Sequence, residues 1–466
     1  MITLLDYGAG NVRSVINAIE HLGESVHLVQ KSEDILQAEI LIFPGVGAFG
    51  SMMSILHDKG YVAPLRRYLE DNRPFLGICL GLQALFEGSQ EAPEIPGLGF
   101  FGGQVQRFQT TLSVPHIGWN QIRAHKDSGL FFGFNGQEHF YFVHSYHVVP
   151  EDAAIILTHT DYGQEFVSAV QQGNICAAQF HPEKSGPVGL RFLGNFLQRQ
   201  RPAGLQPELI TTYLAKRVVA CLDVRSNDQG DLVVTKGDRY DVREEGEVRN
   251  LGQPVELAHT YYQQGADEIT FLNITAFRDF PLSDVPMLEV LRQTSAQVFV
   301  PLTIGGGIRD YTDTNGEFHS ALDVASAYFR SGADKISISS DAVDIVQNSL
   351  AHGPTGKSAI ERIAQVYGSQ AVVISVDPRR IYVHSPADVP HQVIKTVVPS
   401  PQGQRYCWYQ CTVRGGREGR DVDAITLAQE CERLGAGEIL LNCIDRDGTN
   451  LGFDLELIRA VCQAVS

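Results

Sequence analysis

Cys79 stands in the run Gly77-Ile78-Cys79-Leu80-Gly81, where a strand reading over 74–79 gives way to helical character over 80–86. Small residues two positions to either side let a chain turn sharply and project a nucleophile. The helix N-terminus that follows favours thiolate over thiol. Such a thiolate needs a partner that handles protons. His181-Pro182-Glu183, far downstream at the end of an apolar run, supplies one: His181 to exchange a proton, Glu183 to orient the imidazole. Pro44-Gly45-Val46-Gly47 follows another strand, and the amides of Gly45, Val46 and Gly47 suit an oxyanion hole. The chemistry implied is thiol attack on an acyl carbon.

A second constellation lies in the other half. Asp223 ends the apolar run Cys221-Leu222-Asp223-Val224, and Asp377 ends Ser375-Val376-Asp377-Pro378. Two carboxylates facing one substrate can serve as separate acid and base. A lone strand-end Asp is more often a loop cap; a symmetric pair is less easily dismissed. Gly305-Gly306-Gly307, and Ser339-Ser340 just before a helix, read as a phosphate cradle, since glycine permits close approach and a helix start attracts anions. Gly448-Thr449, after Asp445-Arg446-Asp447, suggests a second such site.

The elements that must position these groups follow from periodicity. Residues 1–200 alternate short β-branched runs with amphipathic stretches, which predicts an α/β layered sheet. Residues 201–212 are polar with two prolines and a glycine, and read as a linker. From 213 to 466, strands are expected near 217–224, 268–273, 298–304, 335–339, 371–377 and 438–443, each nearly continuously apolar, as in a (β/α) barrel. Strands one and two echo strands five and six, which points to a duplicated half-barrel. Asp223 and Asp377 then face each other across the mouth. No partner for Gly305–Gly307 follows strand six. The expectation is a barrel truncated after about six of eight units, with very low activity from that half. Arg217, Glu268, Lys335 and Glu438 each begin a strand, at the opposite rim, and read as a salt-bridge ring closing the bottom.

Thirty-seven Lys+Arg against 54 Asp+Glu give −17, which argues against nucleic acid or an anionic membrane as partner. No apolar run is long enough for a membrane span. The start Met1-Ile2-Thr3-Leu4-Leu5 reads at once as a strand, without a targeting segment, so the cytoplasm is the expected location, a plastid staying open if a leader is missing. Eight scattered cysteines with no CxxC pair suggest reduced thiols and no structural zinc. No motif asks for a metal or other cofactor. His144 and His147 are discounted as ligands because strand alternation puts them on opposite faces.

The elbow with His-Pro-Glu resembles the class I glutamine amidotransferases. Asp6-Tyr7-Gly8-Ala9-Gly10-Asn11, the run 77–83 and Phe142-Val143-His144-Ser145-Tyr146 are similar to the glutaminase part of the imidazole glycerol phosphate synthase family. Leu214-Ala215-Lys216-Arg217, Val234-Thr235-Lys236-Gly237, Gly435-Ala436-Gly437-Glu438 and the run 444–449 resemble its cyclase barrel, and Asn227-Asp228-Gln229-Gly230-Asp231 its fused single-chain form. The resemblance implies that Cys79 attacks the glutamine side-chain amide, with Gly47, Gln83, Ser145 and Tyr146 holding the substrate; strand-end packing remains the alternative for the last two. It implies that the ammonia adds to a bis-phosphorylated ribotide, with Asp223 and Asp377 as acid and base, Lys236 on a mobile loop, and Gly306, Gly307, Ser339, Ser340, Gly448 and Thr449 at the phosphates. Arg217, Glu268, Lys335 and Glu438 match an ammonia gate, and Lys184 with Asp334 an interface ion pair of small energetic worth. Both domains then form an intramolecular complex with no obligate second subunit. The alternative for the literal chain is a glutaminase carrying an inert barrel fragment. An isomerase barrel of the related histidine pathway shares the aspartates but is not expected beside a thiol amidotransferase.

Overall fold

Asn11 starts the first helix, α1 (Val12–His21), because its side chain accepts the Ser14 N–H (3.1 Å). Gly23, at φ +86°, ends it. Val15, Ala18 and Ile19 make its buried face. That face lies against a mixed sheet built from β1 (Ile2–Leu4), β2 (Val26–Leu28), β3 (Ile40–Gly45), β4 (Phe75–Cys79), β5 (Gly103–Arg107), β8 (Tyr146–Pro150), β9 (Glu165–Gln172) and β10 (Ile175–Ala178), in the order β2-β1-β3-β4-β10-β9-β8-β5. The part from β2 to β10 is parallel and the remainder antiparallel. Beside it, β6 (His116–Gln121) and β7 (His139–His144) pair in a smaller sheet. The computed structural model describes residues 2–8, 11–198, 212–227, 229, 231–235, 243–244, 247–248, 250–274, 285–313 and 316–466. The expected linker, up to 211, lies outside them. Just after it, β11 (Leu214–Ala215) adds to β6, so the second half begins by pairing with the first.

Six parallel strands of the second half follow in chain order: β12 (Val219–Ser226), β14 (Glu268–Asn273), β15 (Leu302–Gly305), β16 (Lys335–Ile338), β17 (Val372–Val376) and β21 (Glu438–Leu441). A hairpin strand, β13 (Leu232–Thr235), flanks β12. The first half closes on helix α4 (Gly186–Gln198); α5 (Pro254–Gln263), α6 (Val285–Ser295), α7 (Ala321–Arg330), α8 (Ser340–His352), α9 (Ala359–Tyr367), α10 (Ala424–Arg433) and α11 (Leu455–Ala464) are spaced between and after the six strands. The expectation of continuously apolar strands needs correcting. Ile269, Phe271, Ile304, Ile336, Ile338 and Ile374 are buried in the apolar core, but the alternate face carries Glu268, Thr270, Thr303, Lys335 and Ser337, also buried. Period-two alternation holds because that face looks into a polar interior.

The sheet curls. Arg217, just before β12, bonds to Glu268 on the neighbouring strand and also to Glu438 on β21, five strands away. In a flat sheet at about 4.8 Å per strand those strands would lie about 24 Å apart. Only a barrel-like arc brings them together.

An excursion separates β17 from α10. Here β18 (Pro378–Val383), a short strand Ile394–Lys395, β19 (Tyr406–Val413) and β20 (Glu418–Asp423) form an antiparallel sheet. Its Arg380 holds Asp454 (2.8 Å from Nε) and Glu456 (2.9 Å), and Tyr409 donates to Asp454 (2.9 Å). Asp454 in turn caps α11. No described helix is long and apolar enough to cross a membrane.

Candidate active sites

Cys79 ends β4 beside Gly45, its register partner on β3, and α3 (Leu80–Gln83) starts at once. The cysteine sits at φ +51°, ψ −103°, a conformation that costs a non-glycine residue on the order of 1–3 kcal/mol. The turn closes only because its neighbours are small. A Cβ on Gly81 would run into Phe43 O, and one on Gly77 into Gly81 O. His181 follows β10, and its Nδ1 lies 2.7 Å from Glu183 Oε1. All three side chains are buried. Burial alone would pull the imidazolium down. The Glu183 carboxylate and the Cys79 sulfur overcome this and hold His181 up at about 10. Among the described residues His181 Nε2 has no hydrogen-bond partner of good geometry, and the Cys79 sulfur is the group that acts on this imidazole beside Glu183.

Around the sulfur, Gln179 Nε2 donates to Cys79 Sγ (3.4 Å), and Gln83 Nε2 donates to Gln179 Oε1 and to Tyr146 O (both 3.1 Å). Ser145 O accepts from Phe108 N (3.1 Å). The loop after β3 is held on three sides. Tyr7 donates to Val46 O (2.9 Å), Ala48 N reaches Val366 O in α9 (3.4 Å), and Glu91 accepts Phe49 N (2.8 Å) at the start of α2 (Phe49–Asp58). Gly47 adopts φ +132° against Val366 O, where a side chain would be strained.

Directly behind lies the strand-start ring. Lys335 Nζ reaches Glu268 (2.5 Å) and Glu438 (2.7 Å), Arg217 reaches the same two carboxylates, and Thr303 donates to Glu268 (2.7 Å). Burial opposes the Lys335 charge, yet the two glutamates hold its affinity for a proton above the usual lysine value. Tyr141 of β7 stands between the two groups. Its ring centroid is 6.4 Å from that of His181, its buried hydroxyl has no hydrogen-bond partner among the described residues, and it feels all four ring charges. The halves are pinned by Lys184–Asp334 (2.6 Å), Asn11 to Asp334 (2.8 Å), Asn17 to Ser295 (3.0 Å) and Trp119 to Asp267 O (3.3 Å). Lys184 is 2% exposed and Asp334 half-buried, so the pair is not the surface contact expected.

At the opposite strand ends, Asp223 shares a face of β12 with Cys221, and Asp377 directly follows β17 two residues beyond Ser375. Ser337 and Ser375 hydroxyls are 2.7 Å apart on the same interior face. Asp377 O accepts from Thr412, and Asn442 reaches its carboxylate (3.5 Å). Gly306 and Gly307 have φ +111° and +70°, and a Cβ on Gly306 would strike Asn273 O. Ser339 is the N-cap of α8, while Ser340 Oγ already accepts Arg414 N (3.1 Å) from the excursion hairpin. Gly448 and Thr449 form an exposed turn, closed by Thr449 Oγ1 to Arg446 O (2.7 Å). Lys236 lies outside the described residues.

Residues 3–199 match the family model described as glutamine amidotransferase class-I, and residues 217–466 that of histidine biosynthesis protein. Imidazole glycerol phosphate synthase hisHF, chloroplastic, of Arabidopsis thaliana is 57% identical over all of this chain and 80% of its own length. The chain belongs to the imidazole glycerol phosphate synthase family. The hisHF synthase of Schizosaccharomyces pombe is 53% identical over all of this chain and 90% of its own. The first half alone matches the synthase subunit HisH of Syntrophotalea carbinolica, 47% identical over 42% of this chain and 98% of that one.

Against this synthase family background, one reading needs correction. His144 and His147 do not fall on opposite faces, for both rings pack on Phe108, with centroids 5.1 and 4.9 Å away. Alternation fails because the chain changes sheets at Ser145, between β7 and β8. Sequence reasoning also missed Gln179, Glu91 and Tyr141. Gln179 carried a usable signal, since it precedes His181 by two and so shares its side of the strand end. Glu91 and Tyr141 carried none, because only tertiary packing brings them to the centre.

Proposed function

We propose that the chain hydrolyses glutamine in its first half and consumes the ammonia in its second. Cys79 attacks the side-chain amide carbon while the Gly45–Gly47 loop steadies the developing oxyanion. His181, oriented by Glu183, gives the proton that lets ammonia leave the tetrahedral intermediate, whose collapse yields the thioester. Water activated by His181 then releases glutamate and frees the thiol. Gln83, Ser145 and Tyr146 hold the substrate. Ammonia passes Tyr141 and the ring of Arg217, Glu268, Lys335 and Glu438, and travels along the interior face bearing Thr270, Thr303, Ser337 and Ser375. At the far end it adds to the phosphoribulosyl formimino aminoimidazole-carboxamide ribotide. Asp223 and Asp377 move the protons of ring closure and cleavage, giving imidazole glycerol phosphate and aminoimidazole-carboxamide ribotide. Ser339, Ser340, Gly306, Gly307, Gly448 and Thr449 hold the phosphates, and Lys236 acts at the mouth. Boundaries of 1–200 and 213–466 divide the two activities, with the cytoplasm as the proposed compartment and a plastid as the alternative.

The observation that supports this most is Tyr141, whose ring lies 6.4 Å from that of His181 while its hydroxyl feels all four charges of the Arg217–Glu268–Lys335–Glu438 ring. The test is isotope tracing. With glutamine labelled in its side-chain amide nitrogen and unlabelled ammonium in the medium, the label enters the imidazole product undiluted. Dilution to the level of the medium would refute transfer through the interior.

A further inference from the structure

Resting on the glutaminase reading above, we propose that Gln179 is a fixed N–H donor that holds the Cys79 sulfur as the attacking and departing thiolate. Side-chain amides can point either way, so the orientation must be argued from the bonds around it. Tyr146 O, a backbone carbonyl, can only accept. Two groups reach it: His144 Nδ1 (2.8 Å) and Gln83 Nε2 (3.1 Å). Both must therefore donate. Gln83 Nε2 is also 3.1 Å from the Gln179 amide, which must present its oxygen there. That leaves Gln179 Nε2 facing Cys79 Sγ at 3.4 Å, as a donor to the sulfur.

The other end of the relay is locked too. His144 donates from Nδ1, so its Nε2 accepts, and His116 Nδ1, 3.3 Å away, must donate to it. Burial, first of all, pushes His144 down to about 3 and His116 well below the ordinary value, so the pair stays neutral and keeps these tautomers. His116 is wedged between Tyr162 (centroids 3.9 Å) and Phe142 (4.9 Å). From His116 to the sulfur, every donor and acceptor is determined without choice.

The titratable groups facing Cys79 are His181, from the turn after β10, and Tyr7, from the loop after β1, with Glu183 behind His181. A buried Tyr7 kept in its neutral form adds no charge. Gln179 is thus the neutral donor that complements the imidazolium. In the acylation step the thiolate's electron pair forms the C–S bond. In the hydrolysis step water adds to the thioester carbon, the C–S bond breaks, and the pair returns to sulfur. A donor fixed at sulfur favours that departure.

The test uses Gln179→Glu and Gln179→Met in the full chain. Ionised Glu keeps an acceptor for Gln83, removes the donor to sulfur and adds a charge that itself opposes the thiolate; Met removes donor and acceptor and adds no charge. Alkylation of Cys79 by iodoacetamide is read by mass spectrometry of its peptide, so that the other cysteines do not interfere. Loss of a hydrogen bond to a charged group lowers the thiolate fraction about tenfold or more, and higher intrinsic nucleophilicity offsets part of this. At about pH 5.5 the Gln179→Glu rate therefore falls about threefold or more, and kcat for glutamine hydrolysis falls while KM changes less than about twofold. Parent-like alkylation and kcat, or a change in KM alone, would overturn the proposal. Should Gln179→Glu fail to fold, Gln179→Met reads the loss of the donor together with that of the acceptor, and parent-like alkylation and kcat in it would equally overturn the proposal. Cys79→Ser separates the two levels. If it still hydrolyses glutamine, the glutaminase reading falls; if it is inactive while the Gln179 variants match the parent, only this inference falls.

Discussion

Arg217 and Glu438 touch although five strand positions separate them, and Lys335 reaches the same glutamate from between (2.7 Å). This one relationship makes an arc of the second half and places its charged end under the thiol centre. Lys335 is buried with two carboxylates, and removing one member of a buried network strands the others. Lys335→Met is expected to lower stability by about 3 kcal/mol. The double variant Lys335→Met/Glu438→Gln should cost less than the sum of the single ones, measured by chemical denaturation.

The imidazole of His181 titrates at about 10 in the folded chain and near 6.5 when unfolded. Its folded value is raised, so the stability it contributes is full below about pH 6.5 and is lost as pH rises through about 10. Glu183→Gln removes the main charge that raises it. The stability of that variant should vary less between pH 7 and pH 10 than the parent's. Equal alkaline slopes in urea melts would contradict the pairing.

Cys79 itself occupies a backbone conformation that suits glycine. Replacing a side chain at positive φ by glycine relieves strain, against the usual order in which glycine is the less stable residue. Cys79→Gly should therefore melt higher than Cys79→Ala, with a difference on the order of 1 kcal/mol, while neither hydrolyses glutamine. The reverse order would show that the elbow stores no strain.

Lys184 makes its ion pair across the halves while nearly fully buried. Asp334 keeps bonds from Asn11 and from Leu302 N (2.8 Å) when the lysine is gone, so the carboxylate is not orphaned. Lys184→Ala should then cost about 1.5–3 kcal/mol, the worth of one charged hydrogen bond. A change under about 0.5 kcal/mol in the denaturation midpoint analysis would return the pair to the class of surface contacts.

Much of this was readable in the chain, and the failures have physical causes. Glu268–Asn273 and its strand were legible residue for residue because an apolar run begins and ends on polar residues. The Cys79 elbow was legible because the glycines at 77 and 81 are required by close backbone approach, a need that shows in residue type. The polar interior face was overlooked because threonine and serine at alternate positions look like ordinary strand formers until curvature gives the sheet an inside. The energetic weight of Lys184 depends on burial, which no local pattern records. Gln179 was passed over because the motif beside it drew attention to the histidine alone.

The central claim is that one thiol supplies nitrogen to two carboxylates in the other half. The most direct measurement is product formation from the ribotide by Cys79→Ser and Asp377→Asn, each given glutamine or ammonium. Cys79→Ser should fail with glutamine yet work with ammonium, while Asp377→Asn should fail with both and still release glutamate. Glutamine-driven product from Cys79→Ser, or ammonium-driven product at parental rate from Asp377→Asn, would contradict the account.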